Sequence, residues 1–175
     1  MLFRSNSPHL ANLTSLRLYA SFPGDEGVTA ITRSPYLTRL TELDVAQHAM
    51  GFTTDGVRAL AEWPGLARLS VLRLNVDAEG AAVLAASPYL SGLRHLGLSR
   101  GQAGDEGAAV LAASPHLAGL CVLDLEHNGV GHAGGRALAE SPHLGGLWRL
   151  ELEGNRVGEA AESALRKRFG WRVSL

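Results

Sequence analysis

The chain repeats one short pattern of leucines. It runs Leu10, Leu13, Leu16, Leu18 in the first copy and Leu37, Leu40, Leu43, Val45 in the second. The fifth copy reads Leu117, Leu120, Leu123, Leu125 and the sixth Leu144, Leu147, Leu150, Leu152. The last two rungs are two residues apart, the spacing that puts both side chains on one face of a strand. Three residues further stand Asn128 and Asn155, and in the other copies Ser21, His48, Asp77 or Gly101. Between ladders the spacing changes to i, i+3, i+4, i+7, one face of an α-helix. Gly107, Val110, Leu111 and Ser114 show it, as do Gly27, Ala30, Ile31, Ser34 and Gly134, Ala137, Leu138, Ser141. Each unit therefore predicts one strand and one helix.

A proline sets the period. Ser7-Pro8, Ser34-Pro35, Trp63-Pro64, Ser87-Pro88, Ser114-Pro115 and Ser141-Pro142 begin six copies, with prolines 27, 29, 24, 27 and 27 residues apart. Self-similarity at such a period predicts a solenoid of about six repeats, treated as one domain over residues 1–175. Proline ends each helix by disfavouring helical geometry in the residue before it. The acidic pairs Asp25-Glu26 and Asp105-Glu106 suit helix N-termini. Glycine returns at one helical slot five times although it costs about 1 kcal/mol there against alanine. Close approach of the helix to the strand layer is the expected reason.

Composition narrows the function. Apolar residues make up 46% and aromatics only 6%, so Leu, Ala and Val supply the core. A net charge of -1 and a pI near 6.7 argue against a nucleic-acid groove. Cys121 is the sole cysteine, which rules out an internal disulfide and suggests a reducing, cytoplasmic setting. The first six residues are too short and polar for a secretory signal, and no apolar run reaches the roughly 18 residues of a membrane span.

The consensus Leu-x-x-Leu-x-Leu-x-x-Asn-x-Val-Gly, followed by Gly-x-x-Ala-Leu-Ala-x-Ser-Pro-His-Leu, resembles the leucine-rich repeat. It is similar to the helix-containing variety of ribonuclease inhibitor and many bacterial arrays, most completely from Leu120 to Leu144. The resemblance spans Pro8 to about Arg168. It implies an α/β right-handed solenoid, with a parallel sheet on the concave face, helices on the convex face, and a protein partner held on the concave face or rim.

Two units depart from the period. The loop at 46–56 gains two residues, with Met50 and Phe52 in it, and the loop at 75–80 loses three. Together they predict a kink near Met50 to Asp77, with a binding loop as the functional alternative to drift. The tail 169–175 alternates apolar with polar and predicts a capping strand paired with Glu151-Leu152, Phe169 and Trp171 covering the last core face. Only about six residues precede Pro8, so either the first strand has an unpaired edge, or the chain is the tail of a longer protein, or two copies meet there in a homotypic contact.

Three outward columns follow from the strand register. They are Ser15, Glu42, Val71, His95, Val122, Arg149; then Arg17, Asp44, Arg73, Gly97, Asp124, Glu151; then Tyr19, Ala46, Asn75, Ser99, Glu126, Glu153. Arg17, Asp44 and Arg73 alternate in sign and favour cross-strand pairing. Asp124, Glu126, Glu151 and Glu153 cluster with only Arg149 near. Four carboxylates on one wet face lack the separate environments that acid–base catalysis needs, so no catalytic residue is assigned.

His9, His116 and His143 share a slot with Tyr36 and Tyr89, which speaks for packing rather than ligation, and His127 with His132 lacks further ligands. No metal or cofactor is expected. Cys121 reads as structural, and Gly101 to Asp105 lacks the lysine of a phosphate loop. The favoured function is a non-catalytic protein-interaction module. Arg17, Tyr19, Asp44, Arg73, Asp124, Glu126, Arg149, Glu151 and Glu153 would carry binding. Regulation of a partner enzyme, such as a small GTPase or a nuclease, and self-assembly are the alternatives.

Overall fold

The computed structural model describes residues 7–18, 24–46 and 53–175. Among them seven strands form one parallel sheet in chain order: β1 (Ser15–Arg17), β2 (Glu42–Asp44), β3 (Val71–Arg73), β4 (His95–Gly97), β5 (Val122–Asp124), β6 (Arg149–Glu151) and β7 (Val173–Ser174). Helices alternate with them: α1 (Gly24–Thr32), α2 (Thr54–Ala61), α3 (Ala78–Ala85), α4 (Gly104–Ala113), α5 (His132–Glu140) and α6 (Glu159–Phe169). Leu16, Leu43, Leu72, Leu96, Leu123 and Leu150 pair in one row through the sheet. All but Leu16 are fully buried. Strands lie about 4.8 Å apart whereas packed helices lie about 8–10 Å apart, so such a stack bends with its sheet on the inner side. The fold is an α/β leucine-rich-repeat solenoid.

The buried stripe of the regular helices keeps the predicted glycine and leucine and shifts only at the i+3 position, the neighbouring small residues being buried instead. In α4 the buried residues are Gly107, Ala108, Leu111 and Ala112, while Val110 is only partly covered. The same offsets recur as Gly56, Val57, Leu60, Ala61 and as Gly80, Ala81, Leu84, Ala85. The leucine faces the core, and the small residues let adjacent helices approach. The recurring glycine faces its own lead-in loop and the preceding helix, not the strand layer. A Cβ on Gly107 would lie 2.7 Å from Ala103 Cβ and 3.3 Å from Ala81 Cβ.

Neighbouring units are bonded through polar groups that local spacing did not reveal. The serine before each proline is buried at Ser87, Ser114 and Ser141. Its hydroxyl donates to a carbonyl one repeat earlier: Ser87 to Ala61 at 2.5 Å, Ser114 to Ala85 at 2.6 Å, Ser141 to Ala112 at 2.5 Å. Arg168 ends the series, donating to Ala139 O at 2.7 Å and to Ser141 O. Pro64, Pro88 and Pro115 each open a short 3-10 turn that leads into the next strand.

Asp25 and Asp105 each cap the helix of the following unit. Asp105 accepts from the N–H groups of Gly131 and Gly134 at 2.6 and 2.8 Å, supplying the cap that Gly131 lacks at the start of α5. Asp25 does the same for Thr53 and Gly56.

Across the irregular units the sheet keeps its register, Glu42 to Val71 and Val71 to His95. The short loop is closed by Asp77, which caps α3 at Gly80 N, 2.8 Å away. Met50 and Phe52 lie outside the described residues, as do Ser21 and His48.

At the far end β7 pairs parallel with β6, Leu150 to Val173 and Glu151 to Ser174. The expected partners, Glu151-Leu152, are thus displaced by one residue. Phe169 is the last residue of α6 and is buried, but Trp171 is 85% exposed and covers no core; Val173 is buried in its place. At the near end Leu10, Leu13, Leu16 and Leu18 are only half-buried, where Leu37, Leu40, Leu43 and Val45 are fully buried.

Candidate functional site

Two outward columns lie in register on the open sheet face, and the charges on their N-terminal half are met locally. Arg17 Nη2 stands 3.4 Å from Glu42 Oε2, which also accepts from the Ser15 hydroxyl at 3.0 Å. Arg73 lies 4.0 Å from Asp44, itself only 7% exposed. Asp44 Oδ1 accepts from Ala46 N–H at 3.2 Å, so this carboxylate also shapes the strand exit. Of the expected alternation Arg17, Asp44, Arg73, the Arg73–Asp44 contact lies within its column, whereas Arg17 meets Glu42 of the neighbouring column. Tyr19 falls outside the described residues.

The C-terminal half is different. Asp124 and Glu151 pair across β5 and β6. Arg149 is drawn to Glu151 at 2.5 Å, along its own strand. Asp124 repeats the role of Asp44, accepting from Glu126 N–H at 2.9 Å. Glu126 and Glu153 have no ion-pair partner among the described residues. The Glu126 carboxyl is pushed above its ordinary range, first by burial and then by the charges of Asp124, Glu151 and Glu153. The four predicted acids thus form one electrostatic group.

Beside them lies an open depression of about 370 Å³ with His95 and Val122 among its lining residues. Arg73 and Arg149, Asp124 and Glu151, and the indole of Trp148 complete the lining. Gly97 helps to make the space: a Cβ there would lie 3.0 Å from Arg73 Cγ, so the arginine stem lies close over the glycine. Its guanidinium comes within 3.5 Å of His95 Nδ1. Burial, then the charge of Arg73, holds His95 below its ordinary value, while Glu151 pulls the other way. Burial and Arg73 thus both favour the uncharged ring.

Trp148 was not singled out from sequence, because it precedes the outward columns by one residue. Its signal was a lone aromatic in a slot that holds Thr41, Ser70, Arg94 and Cys121 elsewhere. It is 52% exposed. Cys121 is half-buried, its thiol 3.8 Å from Gly119 O. Among the described residues no three His, Cys, Asp or Glu side chains are placed to hold a metal ion, and no helix is long and apolar enough to cross a membrane.

No family model matches the chain, and none of the curated proteins does. Of solved structures, 54 chains match, among them an internalin from Listeria monocytogenes. That match has a TM-score of 0.39 at 17% identity and covers 97% of this chain. The chain spans 63% of that protein's length.

Proposed function

We propose that the chain is a non-catalytic interaction module whose open sheet face receives a basic surface of a partner protein. Asp124, Glu126, Glu151 and Glu153 are its anionic contacts, with Arg149 among them, and Arg17, Tyr19, Asp44 and Arg73 form a mixed-charge end. The observation that carries this reading is the crowding of four carboxylates on adjacent strands: Asp124 and Glu151 stand in register, and Glu126 and Glu153 have no ion-pair partner among the described residues, a charge that a cationic partner would relieve. Cys121, the sole cysteine, suits a reducing cytoplasm.

Affinity capture from native cell extract supplies the partner for the test. Reversal of Glu126 and Glu151 to lysine together should weaken its binding at least about tenfold and flatten the salt dependence. Unchanged affinity would remove these residues from the site.

A second contact, between two copies through the β1 end, is favoured by the half-covered leucines Leu10, Leu13, Leu16 and Leu18. Light scattering at increasing concentration should show a dimer. A monomer throughout speaks against it.

A further inference from the structure

We propose that the depression beside Trp148 is a subsite for one arginine side chain of the basic partner, its guanidinium stacked on the indole and paired with Asp124. This rests on the reading of the face as a partner-binding surface, and adds to it a chemical identity that charge alone does not give.

Shape and aromatic character come first. Trp148 and Trp171 are the exposed large apolar side chains among the described residues. Each stands two residues before a strand-paired position, Leu150 for one and Val173 for the other. Trp148 directly precedes β6, and Trp171 lies in the 3-10 turn Gly170–Arg172 that leads into β7. Nothing in the fold needs an indole at 148, where other units hold small or polar residues. Of the two, only Trp148 borders the depression, together with Asp124.

Charge comes second. Of the two arginines in the lining, Arg149 is taken up by Glu151 at 2.5 Å and Arg73 stands 4.0 Å from Asp44, which leaves Asp124 as the lining carboxylate without an ion pair among the described residues. Asp124 keeps one oxygen beyond the Glu126 N–H that it accepts. Glu126 and Glu153 carry further negative charge along the strand exits, in reach of the next basic residues of an extended segment. A planar, weakly hydrated guanidinium can stack and pair at once, whereas an ammonium stays a hydrated point charge. The molecule already contains the stacking half of this contact: Arg68 Cζ lies 5.9 Å from the centre of the Trp63 ring.

Acetylated, amidated hexa-arginine and hexalysine peptides at one ionic strength provide the test. Hexa-arginine should bind about fivefold tighter or more, a ratio that stacking and forked pairing supply. Trp148→Ala should bring the ratio to within about twofold, Trp148→Phe should keep most of it, and Trp171→Ala should leave it unchanged. Hexa-arginine should also shift the indole N–H resonance of Trp148 in the unmodified protein.

Equal affinity for the two peptides, binding of neither, an unmoved Trp148 resonance or a ratio that survives Trp148→Ala would overturn the subsite. If the captured partner still depends on Glu126 and Glu151 while the peptides are not distinguished, the subsite falls and the broader proposed function stands.

Discussion

Asn128 shows how much one side chain contributes in a repeat. Its amide donates to Leu98 O and Glu126 O, its oxygen accepts from Ala103 N–H, and it is 2% exposed. Asn155 does the same one unit later, accepting from Asn128 N–H and Val130 N–H. Asn128→Ala takes this partner from Leu98 O and Ala103 N–H, while Glu126 O keeps Arg100 N–H, and should cost about 2–3 kcal/mol in urea denaturation. Gly134→Ala tests the opposite intuition. Helix propensity favours alanine by about 1 kcal/mol. However, the new Cβ would stand 2.7 Å from Asp105 Oδ1 and 2.9 Å from Val130 Cγ1. Overpacking should win, with a net loss of about 1–2 kcal/mol. The glycine and asparagine slots were visible as recurrences. Their partners were not, because Ala103 and Asp105 lie 25 and 29 residues away from Asn128 and Gly134. The buried serines were hidden for the same reason. Trp63 stands in their slot, and Gly65 yields to it: a Cβ on Gly65 would meet the indole at 2.1 Å.

The last helix and its tail show where periodicity misleads at the level of elements. Phe169, Trp171 and Val173 alternate as a strand would, and that spacing predicted Phe169 and Trp171 inside. Phe169 instead belongs to α6, and Gly170 at φ 62 stops the helix and turns the chain. A short 3-10 turn, Gly170–Arg172, then resets the phase, so Val173 is buried and Trp171 is not. Phe169→Ala should therefore cost about 3–4 kcal/mol. Trp171→Ala should stay within about 0.5 kcal/mol by thermal denaturation. The strands themselves were readable from the leucine pairs, since a buried face imposes its period of two on the sequence. Helix identity was readable too. The buried stripe was readable at its glycine and leucine but not at the small residues beside them, which answer to neighbouring helices as well as to the sheet.

For the whole molecule, the electrostatics of the open face predict two opposite pH dependences. His95 binds its proton less tightly in the folded state than in the unfolded chain. Its contribution to stability is thus present above its ordinary value of 6.5 and fades as pH falls below that. His95→Gln should flatten this part of the stability profile. The carboxyl of Glu126 binds its proton more tightly when folded, so its contribution is lost as pH rises past the ordinary 4.5. Glu126→Gln should raise the melting temperature near pH 7, with the gain absent near about pH 3.

The architecture and the acidic group were both legible in sequence, since each is written in recurrence and register. The depression was not. It depends on the missing side chain of Gly97, the lie of Arg73 over it, and one tryptophan outside the columns.

The serine bonds carry a consequence for the length of the array. Because each hydroxyl seeks a carbonyl at the same place in the previous turn, units are interchangeable at the serine–proline junction. Excising Pro115–Ser141 would join Ser114 to Pro142 and give Arg168 the Ala112 carbonyl in place of Ala139. Such a chain, one coil shorter, should still melt cooperatively while lacking Val122 and Asp124 and hence any grip on a guanidinium.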